Sequence, residues 1–92
     1  MNIQHEESET KGAFFIESNS TRIAEITYSK AGSSRIIIDH TGVSDEHRNE
    51  GLGKKLVFHV AEFAEQYNLK VLPLCPYAKS VFSRYPELQK LT

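Results

Sequence analysis

The sequence predicts an α+β fold: a mostly antiparallel sheet, one parallel strand–helix–strand crossover and a short C-terminal helix. Over the first half of the chain, runs rich in β-branched and aromatic residues alternate with turn residues. A helical apolar period then begins at Leu52. One further strand-like run, Lys70 to Leu74, follows it and leads into a proline-headed helical segment.

Ile3 to Glu7 reads as a short edge strand, and Ala13-Phe14-Phe15-Ile16-Glu17 as a fuller one. Ser18-Asn19-Ser20 supplies turn residues. Arg22 to Ser29 alternates in polarity, although Ile23 is out of phase with Ala24, Ile26 and Tyr28. Ala31-Gly32-Ser33-Ser34 reads as a hairpin turn. Arg35 to Val43 is the next strand, and its consecutive Ile36, Ile37 and Ile38 suit a central strand covered on both faces. The short turns imply antiparallel pairing. Ser44-Asp45-Glu46-His47 is polar loop.

Leu52, Leu56, Val60, Phe63, Ala64 and Tyr67 define one helical face, opposite Lys54, Lys55, Glu62, Glu65 and Gln66. Phe58 points away from that apolar face, toward the C-terminal segment or a contact surface. Asn68 suits a left-handed cap. Lys70 to Leu74 reads as a buried strand, joined to the preceding one by a right-handed crossover. Tyr77 to Tyr85 is a second, shorter helix with Pro76 at its first position, ended by Pro86. Glu87 to Thr92 is expected to add a turn.

Ninety-two residues suit one domain spanning positions 1–92. A net charge of −1 gives no general attraction to nucleic acid or anionic membrane. Cys75 is the lone cysteine, which excludes an intrachain disulfide and any CxxC metal motif. The N-terminal residues lack a basic head and apolar stretch, and no apolar run reaches membrane-spanning length. A cytoplasmic monomer is the expectation.

The run Arg48-Asn49-Glu50-Gly51-Leu52-Gly53 lies between a strand and a helix. Two glycines at a helix start expose backbone N–H groups, and with the helix dipole these make a seat for phosphate without a metal. The alternative is a loop whose glycines merely allow tight packing. A Walker-type loop is absent, and a dinucleotide loop starting at Gly51 would need a glycine where Leu56 stands.

In this context Arg-x-x-Gly-x-Gly resembles the acetyl-CoA diphosphate loop of the GNAT acetyltransferase superfamily. The order of elements is also similar to the GNAT core. Only Ser8 to Gly12 separate the first two strands, so the resemblance is to its small, truncated subfamily. His40-Thr41-Gly42-Val43 and Leu74-Cys75-Pro76-Tyr77-Ala78-Lys79 look like that subfamily too.

The resemblance implies that acetyl-CoA is bound at Arg48, Asn49, Glu50, Gly51, Leu52, Gly53 and Lys54. Lys79 and Ser80 are implied contacts for its adenosine end. The pantetheine arm would lie in a splay between His40–Val43 and Val71–Cys75, pairing with backbone near Thr41 and Val43. Gly42 would mark a bulge that starts the splay, or simply ease a bend.

Cys75 stands at a helix start, where the thiolate form is favoured, and is a candidate nucleophile toward the acetyl thioester. A buried apolar filler is the other reading of a lone cysteine. Tyr77 is a candidate general acid for the leaving thiolate, or an aromatic packed at the helix start. His40 is a candidate base, with Asp39 beside it, or a merely hydrogen-bonded histidine. The implied activity is acetyl transfer to an amine, directly or through Cys75, with an unidentified amine or protein acceptor. The alternatives are a module that binds acetyl-CoA or CoA without efficient transfer, and a structural partner protein with no ligand.

Overall fold

The computed structural model describes residues 2–92. Five strands form one sheet in chain order: β1 (Gln4–Glu7), β2 (Lys11–Ser18), β3 (Thr21–Lys30), β4 (Arg35–Val43) and β5 (Lys70–Pro73). The first four pair antiparallel, and β5 joins β4 in parallel after helix α1 (Leu52–Gln66). Helix α2 (Pro76–Arg84) and a 3-10 turn (Pro86–Leu91) close the chain.

Both helices pack into the same core. Phe14, Ile16, Ile26, Tyr28, Ile36 and Ile38 of the sheet meet Leu56, Val57, Val60 and Ala64 of α1. Val81 and Phe82 of α2, with Leu88 and Leu91, complete it. The opposite face of the sheet carries no helix. Ile37 therefore stays only half-buried, and the expectation of a β4 covered on both faces is corrected. Phe15 on that face is covered instead by the Arg22 guanidinium, 3.7 Å from its ring centroid. Glu6 and Glu25, each 3.1 Å away, hold Arg22 there.

Two bulges explain the phase problems of the sequence. Ile16 pairs with Ala24 but Glu17 pairs with Arg22, so Ile23 is an extra residue and joins the core beside Ala24. Thr27 pairs with His40 but Tyr28 pairs with Ile38, so Asp39 is extra in β4. The bulge expected at Gly42 thus lies at Asp39, and Gly42 pairs in register with Glu25.

Strand β5 lies at the sheet edge, and the expectation of a buried strand over Lys70 to Leu74 is corrected. Val71 alone of its residues is buried, while Leu72 is exposed. Tyr67, expected on the buried face of α1, is also exposed, because the helix ends there and Asn68 turns left-handed at φ 58°. Phe58 packs edge-on against Tyr85, its centroid 5.1 Å away, and so lies against the C-terminal segment.

Candidate functional site

β4 and β5 separate after a short shared ladder. The register runs from Arg35–Lys70 to Ile38–Pro73 and stops. The N–H groups of Leu74 and Cys75 then both donate to the Ile38 carbonyl, each at 3.1 Å. Beyond that point His40 to Val43 continue against β3 alone. Their other backbone edge is left without a strand partner, at the place where the family resemblance implies a splay.

The glycine loop meets this edge. A 3-10 turn over Asp45–Glu50 ends at Gly51, whose φ of 71° is left-handed and suits glycine. The first bond of α1 runs from the Lys55 N–H to the Gly51 carbonyl at 3.1 Å. The amides of Leu52, Gly53 and Lys54 precede it and lack helical acceptors. No side chain caps this terminus.

Together these parts enclose a cleft of about 450 Å³. His40, Thr41, Gly42, Val43, Arg48, Gly51, Leu52, Gly53 and Tyr77 line it. Nine of the residues singled out in the sequence are thereby brought to one place. Asn49, Glu50, Lys54, Lys79 and Ser80 do not line it. Glu50 pairs with His47 at 2.9 Å, and the Lys54 ammonium lies 4.8 Å from the Tyr85 ring centroid. Arg48 reaches Asp45 at 2.8 Å in an exposed pair, which leaves it little bound and free to exchange partners.

Two glycines of the cleft make room for rings. A β-carbon on Gly53 would stand 3.0 Å from the Tyr77 ring, and one on Gly42 would stand 2.9 Å from the His40 Nε2. The Tyr77 ring thus rests on the glycine loop, and the His40 ring lies across the edge of β4.

Cys75 sits beneath the cleft and not in its wall. It is buried, and its Sγ lies 3.4 Å from the Thr41 Oγ1. The same sulfur accepts a hydrogen bond from the Ala78 N–H at 3.3 Å and caps α2. Thr41 thereby ties the free edge of β4 to the thiol, a pairing across distant sequence positions that no spacing pattern would have revealed.

A larger cavity, about 790 Å³, lies away from the glycine loop and is lined by groups including His5, Glu7, Phe14, His59, Phe63 and Tyr67. It contains no loop amides and none of the candidate residues, so volume alone does not locate the chemistry. Among the described residues no His, Cys, Asp or Glu group could hold a metal ion, and no helix is long and apolar enough to cross a membrane.

Comparison with known proteins agrees with this geometry. The pattern of a family described as GCN5-related N-acetyl-transferase matches residues 13–91. A GCN5-like protein from Staphylococcus aureus, solved in solution, is 38% identical over 98% of this chain and 87% of its own, with a TM-score of 0.74. The ribosomal-protein-alanine N-acetyltransferase of Brucella melitensis biovar Abortus 2308 shares the fold at 17% identity and a TM-score of 0.70, over 84% of this chain and 62% of its own. A Bacillus anthracis str. Ames protein solved in complex with acetyl coenzyme A shares it at 18% identity and a TM-score of 0.59, over 72% of this chain and 38% of its own. No curated protein matches the chain closely. With an α+β sheet that splays beside a glycine-led helix, and a family match over most of its length, the chain belongs to the GCN5-related N-acetyltransferase family.

Proposed function

We propose that this protein binds acetyl-CoA in the cleft and transfers the acetyl group to an amine. The observation that carries the proposal is the meeting of three features: an uncapped helix N-terminus, a free strand edge and a thiol tied to that edge. The amides of Leu52, Gly53 and Lys54, with Arg48, hold the diphosphate. The backbone of Thr41 and Val43 pairs with the amides of the pantetheine arm. This directs the thioester toward Cys75.

In the covalent route Cys75 gives its thiol proton to solvent and the thiolate Sγ attacks the acetyl carbonyl carbon. A new carbon–sulfur bond forms, the bond to CoA sulfur breaks, and Tyr77 gives the departing thiolate a proton and regains one from solvent. The acceptor amine then attacks the same carbon. Its nitrogen–carbon bond forms, the bond to Cys75 breaks, and the excess amine proton passes to His40. In the direct route the amine attacks acetyl-CoA itself and Cys75 only shapes the site.

A second reading, cofactor binding without efficient transfer, is favoured by the burial of Cys75 and by its use as a helix cap. We read the protein further as a cytoplasmic monomer.

The test is a titration of isotopically labelled protein with acetyl-CoA, followed by intact mass measurement. Shifts at 41–43 and 48–54 with one acetyl group on Cys75 support the covalent route. Shifts without acetylation leave direct transfer or binding alone. An unchanged spectrum overturns the proposal.

A further inference from the structure

Four large apolar side chains are exposed among the described residues, and three of them flank Cys75: Leu72 at 43%, Leu74 at 59% and Tyr77 at 40%. Tyr77 belongs to the cleft already described. Leu72 and Leu74 do not line it. Val71 faces the core, so alternation along β5 turns Leu72 to the helix-free face, beside its register partner Ile37. Ile37 is itself only half-buried. The mouth of the splay therefore carries an apolar rim on the side away from the glycine loop.

A carboxylate lies on the same strand two residues beyond Ile37, turned toward β3, in a cavity that Lys11 and Arg22 also line. Asp39 is the bulge residue of β4, next to Ile38, where the two strands part. It is exposed, and the Ser29 hydroxyl donates to its Oδ2 at 2.6 Å. Among the described residues no lysine or arginine pairs with it. His40 follows directly in sequence and lines the cleft.

We infer that Leu72, Leu74, Ile37 and Asp39 form the acceptor side of the site, and that the acceptor is a small amine carried on an apolar group, such as an arylalkylamine. The inference rests on the acetyl-transfer reading above. Such an amine is a cation in water and must lose a proton before it attacks. Asp39 attracts the cation to the splay, and the leucines receive its apolar part. The carboxylate favours the cation while it docks, so the amine proton leaves only as the nitrogen moves on to the thioester, where His40 accepts it. The balance is that of the transfer itself: amine plus acetyl thioester give amide plus thiol, with the amine proton passing through His40. Hydrophilic polyamines and lysine-rich tails gain nothing from an apolar rim and are expected to be poor acceptors.

The experiment measures CoA release from acetyl-CoA with benzylamine, ethanolamine or a lysine-rich peptide as acceptor. It compares the natural protein with the double variant Leu72→Ser, Leu74→Ser and with Asp39→Asn. These side chains are exposed, and equal melting temperatures confirm that the variants fold. Benzylamine is expected to be the best acceptor by kcat/KM. The double variant should lose about tenfold of that preference. Asp39→Asn should raise KM for benzylamine more than it lowers kcat. Acetyl-CoA affinity and Cys75 acetylation should stay unchanged in both variants.

Equal use of the three acceptors, or a preference for the peptide that survives loss of the leucines, overturns the inference while acetyl transfer stands. Weaker acetyl-CoA binding in the double variant overturns it by assigning the leucines to the cofactor. A natural protein that neither binds acetyl-CoA nor releases CoA overturns the transfer reading, and the acceptor assignment falls with it.

Discussion

At the scale of single residues, three of the five glycines do the same job for three different rings. A β-carbon on Gly12 would meet the Tyr28 ring and hydroxyl at 2.3 Å, as Gly42 and Gly53 would meet His40 and Tyr77 at longer distances. Tyr28 passes over β2 at Gly12 and reaches β1, where its hydroxyl donates to Glu7 and bonds His5, each at 2.8 Å. Gly12→Ala is therefore expected to displace Tyr28 and destabilise the protein by about 1–3 kcal/mol, measured by denaturant unfolding. Gly53→Ala should disturb Tyr77 and weaken acetyl-CoA binding with little loss of stability, and Gly53→Glu should abolish binding by placing a carboxylate at the diphosphate seat. Calorimetric titration checks both. At Cys75, substitution separates the helix cap from the proposed nucleophile. Cys75→Ser keeps an acceptor for the Ala78 N–H and should keep the melting temperature, whereas Cys75→Ala should cost about 1 kcal/mol. Loss of the acetylated species in both, by intact mass, is the outcome expected of a nucleophile. Gly51 and Gly53 were legible in the sequence because a loop motif surrounds them. Gly12 was not, because its partner Tyr28 lies on another strand.

At the scale of elements, the clearest sequence signals were the periodic ones. The α1 face from Leu52 to Ala64 and the proline start of α2 were read correctly, since local period and capping chemistry decide them. The errors lie where tertiary context decides. β5 read as a buried strand because it is apolar, but only Val71 meets the core. The bulge at Ile23 showed in the sequence only as a break of phase, and the one in β4 was expected at Gly42 and not at Asp39, because both arise from pairing between strands. Strand β1 offers a test of its own. Burial among rings lowers the His5 pKa, with Glu7 opposing and His59 and Lys30 adding to the shift. The Tyr28 hydroxyl, followed by Lys30, holds Glu7 below the usual carboxylate range. Both folded-state values are depressed, so both groups contribute stability above their unfolded values and lose it as pH falls. For His5 the loss begins below about pH 6.5, and for Glu7 below about 4.3. Protection factors of the β1 amides, taken relative to the intrinsic exchange rate at each pH, are expected to fall on acidification through this range before those of β3. A uniform fall in both strands would remove β1 as the acid-sensitive element.

At the scale of the whole molecule, one face of the sheet carries the core and the cleft opens where β4 outruns β5. A ligand filling that cleft bridges β4, the glycine loop and α2, so acetyl-CoA should stabilise the entire fold. At a hundredfold excess over Kd the melting temperature is expected to rise by on the order of 10 °C, read by scanning calorimetry. An unchanged midpoint would argue that the cleft is not the cofactor site. The α+β architecture was legible because each strand follows its neighbour in sequence, and the cleft because its loop carries a motif. Exposure of Leu72 and Leu74 was not, since it depends on which strand ends the sheet. The chain-order sheet also has a consequence for synthesis. As the polypeptide leaves the ribosome, β1 to β4 can zip together one after another, each finding its partner already made. β5 and α2 emerge last, and with them Pro73, Cys75 and Tyr77. The cleft is thus the last part of this domain to be built, and a nascent chain stalled before β5 carries the glycine loop without Cys75 or Tyr77.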